Sequence, residues 1–368
     1  MPFFLLAFFL VTISINAQVY SDKVLSEKRK QTLGSTEDTT RNNLLPIWGQ
    51  KARELGFDLP YSAGLGINYV TQESKILINN LKVGFNNGPL YELDEIVSFN
   101  DATATGNVIN VRPDIWLFPF LNVYGIFARV DTSTNIEATL SLPNQDGFED
   151  IFNFGTTVDF EGTTAGFGLT PTIGVGGGWF ALDMNFSWTD LPELEDPAYS
   201  FVLGPRIGKS FYFNKPEQNL AVWVGGFRVA LNTGTSGSLA FDDIFGFDGN
   251  LEQKINDGLI KVEEKQIEVE AWYASLSPAQ QAVNLPKYTA LNRVLSGANT
   301  FLNRLDEARE NSLNSTVQYS IDKRQKNPWN FVVGAQYQMN KHFMLRGEYG
   351  FLGERTQFIG GLQYRFQL

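Results

Sequence analysis

Nine charged residues of this 368-residue chain occupy equivalent positions in a repeating pattern. Each stands in a segment where polar and apolar side chains alternate, so each is predicted to lie on the polar face of a strand. They are Arg112, Asp114, Arg129, Asp183, Arg206, Arg228, Arg346, Glu348 and Arg365. Arginines and carboxylates on one face can pair with each other, or the arginines can attract anions.

The chain offers little for acid–base or metal chemistry. It contains no cysteine and one histidine, His342, so thiol catalysis and cysteine-based metal sites are excluded. We predict no enzyme, no catalytic residue, no metal and no cofactor. One acidic cluster could bind calcium, which takes oxygen ligands, but an exposed loop is the simpler interpretation. That cluster is Asp242, Asp243, Asp248, Asn250 and Glu252. The net charge of −11 argues against a nucleic-acid partner.

The polar face belongs to a long series of predicted strands. In the C-terminal run from Trp329 to Leu368, aromatic and aliphatic residues alternate with Arg, Glu and Gln. Period-two alternation indicates strands with two different faces. The same alternation recurs through residues 60–234. The two regions, 60–234 and 328–368, together predict about twelve strands.

Two observations favour a membrane barrel over a water-soluble sandwich. Short connections alternate with long ones, as in outer-membrane barrels. The short ones are near 86–89, 119–122, 176–178, 214–219 and 340–342, and the long ones near 100–106, 142–161, 190–198 and 235–327. Aromatic residues near strand ends suit girdles at two membrane interfaces better than one soluble core. These residues are Trp188, Trp223, Trp329, Tyr349, Tyr364 and Phe366.

We therefore predict an all-β membrane protein, an antiparallel up-and-down transmembrane β-barrel of about twelve strands. Its short turns would lie in the periplasm. His342 is then in a periplasmic turn, which is the wrong rim for a barrel hydrolase.

The N-terminal residues predict export. Residues 1–17 form an apolar run closed by Ile15-Asn16-Ala17, which indicates a secretory signal peptide. The run is shorter than the ~20 residues of a transmembrane helix. Residues 18–59 form a polar N-terminal segment, in which residues 44–59 predict a short helix that packs on the rim or enters the barrel as a plug. The predicted location is the cell outer membrane, with both termini in the periplasm.

Residues 235–327 differ from the strands. Apolar residues recur every three or four positions from Leu251 to Leu276 and again from Tyr288 to Leu305, which predicts two amphipathic helices. Two such stripes in succession indicate an antiparallel helical hairpin. The order of short and long connections places this α-helical insertion outside the cell.

Four stretches carry a resemblance to known proteins. They are NNLKVGF (79–85), RPDIWLFPFLNVYGIF (112–127), FSWTDL (186–191) and PEQNLAVWVGGFR (216–228). The chain resembles Gram-negative outer-membrane β-barrel proteins, in particular a group with no assigned activity. The resemblance implies the fold and the location, with lipid and lipopolysaccharide around the barrel. The C-terminal residues 364–368 are similar to the strand that the barrel-insertion machinery reads, so that machinery is a predicted partner.

Two functions remain open. If the arginines face an open lumen, the barrel is a narrow channel or transporter for small solutes, anions among them, because rings of charged side chains select ions in pores. If the arginines and carboxylates pair and close the lumen, the barrel is a structural or surface-display protein whose helical loop binds a partner. Unpaired charge on an enclosed face is costly, which is why pairing must be considered.

Overall fold

Antiparallel strands make up the wall of the molecule in the computed structural model. The structure describes residues 44–54, 57, 59–192, 194–215, 217–231, 234–245 and 249–368. The predicted signal peptide and the polar segment up to residue 43 lie outside the described residues. The strands of the described residues, in chain order, are β1 Ala63–Phe85, β2 Tyr91–Glu92, β3 Val97–Phe118, β4 Leu121–Pro143, β5 Phe148–Val175, β6 Gly178–Asp190, β7 Ala198–Tyr212, β8 Asn219–Leu231, β9 Gly234–Ala240, β10 Thr316–Gln325, β11 Trp329–Gln338, β12 Phe343–Phe351 and β13 Arg355–Phe366.

Ten of these strands close into a barrel. Their order around the wall is β1-β3-β4-β5-β6-β7-β8-β11-β12-β13, and β13 pairs with β1 to complete the circle. This closing seam runs from the pair Ala63↔Phe366 to the pair Ser74↔Arg355. All of the wall pairings are antiparallel.

The described barrel therefore has ten strands, where the sequence predicted about twelve. The alternation before and after Tyr69 suggested two strands, but β1 continues without a turn to Phe85. The loop predicted near 100–106 is part of β3, and most of the loop predicted at 142–161 is strand, broken only at residues 144–147. The three remaining strands, β2, β9 and β10, lie outside the wall.

The two ends of the barrel differ in their connections. Four short turns, at 119–120, 176–177, 213–218 and 339–342, lie at one end of the barrel. The first residue of β1, Ala63, and the last residue of β13, Phe366, pair at the same end. We call this the short-turn end and its opposite the long-loop end. The turn predicted at 86–89 is present, but it lies at the long-loop end, because β1 rises the full height of the wall before it.

The outer face of the wall is apolar and uncovered. Ile67, Ile109, Phe127 and Ile207 each leave more than half of their surface exposed, at 53 to 59 %. The same face carries further exposed apolar side chains, among them Leu65, Tyr69, Val111, Phe167, Trp188, Val222, Val224, Trp329, Leu345, Tyr349, Phe358, Leu362 and Tyr364. A water-soluble monomer rarely exposes a continuous apolar surface of this extent. A transmembrane barrel requires one, because lipid surrounds its wall.

Four wall strands continue beyond the barrel at the long-loop end. The upper part of β1 leaves the wall and pairs with β10, which in turn pairs with β9. The upper parts of β3, β4 and β5 stay paired with each other as far as Val97, Pro143 and Phe148. These extensions form a support for the helices of the long connection.

The helical hairpin packs on this support. The connection holds a short helix, α2 (Phe241–Phe245), and two long ones, α3 (Leu251–Ser275) and α4 (Pro278–Glu310), where the two apolar stripes predict helices. Ser277 begins α4 through a capping box with Gln280, and proline follows it at the first helical position. The helix begins ten residues before Tyr288, where the second apolar stripe starts.

The hairpin buries more than its own seam. Its apolar residues form one core with residues of the β-strand extensions, including Phe85, Leu140 and Leu142. The side chain of Lys265, largely buried, places its Nζ 2.6 Å from Glu149 Oε2 on β5 and 2.9 Å from Glu268 Oε2. The hydrogen bond to Glu149 raises the pKa of Lys265, so the ammonium remains charged.

The N-terminal segment occupies the short-turn end. Its helix, α1, spans only Gly49–Glu54, shorter than the helix predicted over residues 44–59. Phe57, Leu59 and Ala52 pack on the lumen-facing ring of Trp116. The segment thus caps this mouth of the barrel. None of the described helices is both long and apolar enough to cross a bilayer.

The lipid face can be tested at Leu362, which pairs with Leu345 and Ile67 in the centre of an exposed apolar patch. We expect Leu362→Arg to lower the free energy of unfolding by about 2–4 kcal/mol, since a charge near the bilayer midplane is destabilising. Leu362→Phe is the control, because it keeps the position large and apolar. Folding into lipid vesicles under a urea gradient measures both; equal stability of the two variants would contradict a lipid-facing position.

Candidate functional site

Seven of the nine predicted charged residues lie on the inner face of the barrel. Five of them, Arg112, Asp183, Arg206, Arg346 and Glu348, form what we call the central layer. Asp114 and Arg365 form a second group nearer the short-turn end. They belong to β3, β6, β7, β12 and β13, and they meet inside the lumen because each stands in the inward phase of its strand.

The ion pair of Arg206 and Glu348 is the centre of this layer. Arg206 donates from Nε to Glu348 Oε2 at 2.7 Å and from Nη2 to Oε1 at 2.8 Å. This two-point geometry suits the planar guanidinium and adds orientation to charge attraction. Trp223 Nε1 donates to Oε2 at 2.7 Å, and Arg346 Nη2 lies 3.4 Å from the same oxygen. Glu348 is 2 % exposed, so the pair is fully removed from water.

Asp183 extends the layer to the opposite wall. Its Oδ2 accepts from Arg206 Nη1 at 3.0 Å, and its Oδ1 accepts from the Tyr124 hydroxyl at 3.0 Å and from the Thr170 hydroxyl. Arg112 lies 3.9 Å from Oδ1 and stacks its guanidinium 3.3 Å from the centre of the Tyr124 ring. Cation–π contact of this kind holds an arginine in place without neutralising it.

The second group surrounds Asp114. Arg365 Nη1 lies 3.0 Å from Asp114 Oδ1, to which Asn122 Nδ2 also donates, at 2.8 Å. Gln363 Nε2 donates to Oδ2 at 2.6 Å. Arg365 also donates to the Tyr61 carbonyl at 3.0 Å, which attaches the group to the residues just before β1.

Two glycines make room for the aromatic members of the central layer. A Cβ at Gly334 would come within 2.4 Å of the Trp223 ring, and one at Gly168 within 2.2 Å of the Tyr124 ring. Contacts this short cannot be accommodated, so both rings can lie against the inner wall only because these positions lack a side chain. The two glycines therefore position the donors to Glu348 and Asp183.

The lumen-facing prediction is wrong for Arg129 and Arg228. In the antiparallel pairing of β3 and β4, Arg129 lies opposite Ile109, an outer-face residue. Its Nη2 donates to Glu161 Oε2 at 2.7 Å, and both side chains are exposed. Arg228 pairs with Leu203 and Trp329, in the outward phase of β8. Both errors have one cause: counting the aromatic Tyr124 and Trp223 as outward-facing puts Arg129 and Arg228 on the inner face, whereas the polar atoms of both aromatic residues bond lumen carboxylates.

The site also contains residues that the pattern of charges missed. Trp223, which was predicted to belong to a membrane girdle, and Trp179 contact each other inside the lumen with their ring centres 6.1 Å apart. Tyr124, Thr170 and Gln363 complete the hydrogen bonds of the two carboxylates. The sequence did contain a signal for the two aromatic rings. Gly168 and Gly334 stand at strand positions where only a residue without a side chain leaves room for a large ring on the inner wall.

A cavity of about 140 Å³ lies between the central layer and the N-terminal segment. This volume is large enough for several waters. Leu59 and Pro60 bound it toward the short-turn end, and Arg112, Asp183 and Arg346 bound it on the other side. Among the described residues that line it, Arg112, Arg206, Lys341, Arg346 and Arg365 are basic and Asp183 and Glu217 are acidic.

His342 lies where the sequence placed it, in a turn of the short-turn end. Its Nδ1 is 2.8 Å from the Arg365 carbonyl oxygen, and its ring stacks on Tyr364. These contacts fix the C-terminal strand against the β11–β12 turn.

Comparisons with known proteins give low similarity throughout. No family model and no curated protein matches the chain. Among solved structures, the chain is similar to the beta domain of the Bordetella autotransporter Brka, at 10 % identity over 83 % of this chain and 100 % of that one, with a TM-score of 0.28. It is similar to an outer membrane channel from Pseudomonas putida F1, at 11 % identity over 83 % and 96 %, with a TM-score of 0.26.

A third match is the Ralstonia pickettii toluene transporter TbuX, at 10 % identity over 84 % of this chain and 90 % of that one, with a TM-score of 0.25. Scores this low carry no weight for function. The barrel is established by the strand pairing of this chain, and its lipid-facing wall by the exposed apolar face described above.

The importance of the central ion pair can be tested with Glu348→Gln. We expect the free energy of unfolding to fall by about 3–5 kcal/mol, because the change leaves buried guanidinium charge short of a partner. The matched control is Glu161→Gln, which breaks the exposed pair with Arg129 and should cost at most about 1 kcal/mol. Urea unfolding followed by tryptophan fluorescence measures both, and a similar loss in the two variants would show that burial does not strengthen the pair.

Proposed function

We propose that this chain is a barrel of the cell outer membrane that passes small anionic solutes through a narrow lumen. The observation that supports this most directly is the cavity at the short-turn end, where Arg112, Lys341 and Arg346 face Asp183 and Glu217. Two further arginines line it, but they are paired with the carboxylates of Glu348 and Asp114. Excess positive charge in an enclosed, low-dielectric space attracts anions and repels cations. The effect is strong only in a narrow bore, since salt screens charge over ~8 Å at physiological ionic strength.

The dimensions of the barrel fit a narrow path. Eight strands leave an interior that side chains just fill, and sixteen or more leave an open water channel. Ten strands lie close to the first case. The central layer crosses this interior, so solute passage requires its partly exposed members to move. Arg112 and Arg346 are the candidates, because each side chain is 26 % exposed, in contrast to Arg206 at 6 %.

The proposed orientation places the short-turn end, with both termini, in the periplasm and the helical hairpin outside the cell. It rests on the position of the short turns, which in outer-membrane barrels face the periplasm. Lipid and lipopolysaccharide would surround the apolar wall. The barrel-insertion machinery would engage β13, the last strand, whose outer face carries Phe358, Leu362 and Tyr364.

A second candidate function is a non-conducting surface-display barrel whose hairpin binds a partner. Its support is the closed central layer together with apolar side chains that the hairpin leaves uncovered. Ile260, Ile267 and Val283 are 56, 60 and 79 % exposed. This candidate needs no movement of the central layer.

Orientation can be tested cleanly because the chain lacks cysteine. Val283→Cys places a single thiol on the exposed surface of α4, and Lys215→Cys places one in the turn between β7 and β8. On intact cells, a membrane-impermeant maleimide should label the first variant and not the second. The reverse result would mean that the barrel is inserted the other way round.

Conduction can be tested with Arg346→Gln. Arg346 lines the cavity, and its contacts are a long one to Glu348 at 3.4 Å and one with the Trp223 ring, 5.0 Å from its Cζ. Glu348 keeps its two-point pair with Arg206 without it, so the variant should remain folded. We expect the ratio of anion to cation permeability to fall by a factor of about 25, since a unit charge 4 Å away changes the energy of each ion by about 1 kcal/mol in a water-like dielectric, with opposite sign for anion and cation. Reversal potentials in a salt gradient across a planar bilayer measure this ratio.

The matched control for that experiment is Arg228→Gln, which removes the same charge from the outer face of β8. It should leave the permeability ratio unchanged. If neither the original protein nor the variants conduct at any voltage, the channel proposal is wrong and the display function is favoured.

A further inference from the structure

A second polar cluster lies inside the barrel toward the long-loop end, away from the central layer. Arg355 and Gln357 stand on the inner face of β13, and Asn330 stands on the inner face of β11. The three side chains are 2, 2 and 5 % exposed. The side chains of Asn330 and Gln357 both lie close to Gly350 of the intervening strand β12. A Cβ added to Gly350 would be 2.7 Å from Asn330 Nδ2 and 3.4 Å from Gln357 Cβ.

The polar atoms of this cluster have no hydrogen-bond partner among the described residues. They are the three guanidinium nitrogens of Arg355 and both amide atoms of Gln357 and of Asn330, and each is enclosed. The contact recorded for Arg355 is with the ring of Phe227, 5.8 Å from its Cζ. Folded proteins leave few buried polar groups unsatisfied, and an enclosed charge without a counter-charge is the costliest case.

The neighbouring carboxylates do not supply that counter-charge. Glu354 precedes Arg355 in the chain but pairs with Lys326 at 2.9 Å, and Asp101 pairs with Lys75 at 2.5 Å. In the central layer, Asp183 and Glu348 are already bonded to Arg206. Arg355 thus faces the lumen as a cation that its described surroundings do not neutralise.

We propose that Arg355, Asn330 and Gln357 form a binding site for a free oxyanion, a phosphate or carboxylate group, inside the upper lumen. Arginine offers paired donors that match two oxygens of such a group, and the amide nitrogens of asparagine and glutamine add donors to the remaining oxygens. The site faces the lumen and is separated from lipid by the wall, so its ligand is a dissolved anion and not a lipid headgroup.

Arg355 begins β13 directly after the β12–β13 turn. Leu352 and Glu354 in this turn have φ values of 71° and 59°, a backbone conformation that side chains other than glycine rarely adopt. The turn is held by the Glu354 carbonyl, which accepts from the Lys75 backbone N–H at 3.0 Å, and by the pair with Lys326. A strained rim next to an enclosed site is an element that can yield when an anion enters.

The experiment is thermal unfolding of the full chain in detergent, with inorganic phosphate or acetate added at constant ionic strength against chloride. A ligand that binds only the folded state raises the unfolding temperature as its concentration rises. We expect phosphate, acetate or both to do so in the original protein. The more effective of the two identifies the oxyanion class. No rise with either anion would overturn the proposal.

Variants locate the binding. Arg355→Met should abolish the anion response and should unfold no earlier than the original protein in chloride, because it removes an enclosed charge. Asn330→Leu and Gln357→Leu should each weaken the apparent affinity by roughly tenfold, the worth of one hydrogen bond to a charged group. These two variants decide the question if Arg355→Met does not fold.

Arg228→Gln on the outer face is the matched control and should keep the full response. If Arg346→Gln abolishes the response and Arg355→Met does not, the anion binds in the cavity at the short-turn end and this inference is wrong. The outcome is independent of conduction, because binding at equilibrium does not require that a solute pass through the barrel.

Discussion

Closure of the wall is the constraint on which the rest of the structure depends. In a bilayer every backbone N–H and C=O must bond within the protein, and a sheet can achieve this only by leaving no edge. Here the seam between β1 and β13 completes the circle over twelve residues of each strand. Closure also fixes the number of strands, hence the interior width, and so determines whether side chains from opposite walls can meet.

The ion pairs inside the barrel are a consequence of that width. Arg206 on β7 and Glu348 on β12 have two strands between them in the wall, yet their side chains bond at 2.7 Å. A much wider barrel would leave each charge in water, where pairing contributes little. A narrower one would exclude Trp223 and Tyr124. The same geometry gives the cavity below the layer its surplus of arginine.

Much of this arrangement was predictable from period-two alternation, because one strand face meets lipid and the other does not. Seven of the nine charged residues were placed on the inner face correctly. Arg129 and Arg228 were not, because Tyr124 and Trp223 are both apolar and hydrogen-bonding and so fit either face. The strand count failed for another reason: β1, β3, β4 and β5 continue past the membrane without a turn, and alternation records no boundary there. Alternation also could not reveal that Arg355 has no hydrogen-bond partner among the described residues, because such pairing depends on the three-dimensional surroundings.

The strands that continue past the barrel have a mechanical consequence. The support of the helical hairpin is the same backbone that forms the wall, since β1 continues as one strand from Ala63 to Phe85, with an irregularity between Asn79 and Lys82, and β5 continues from Phe148 to Val175. At about 3.3 Å per residue, β1 alone is roughly 75 Å long. The hairpin is therefore joined to the barrel through paired strands and not through loops alone. A force applied to it would be carried as tension along these strands into the wall itself.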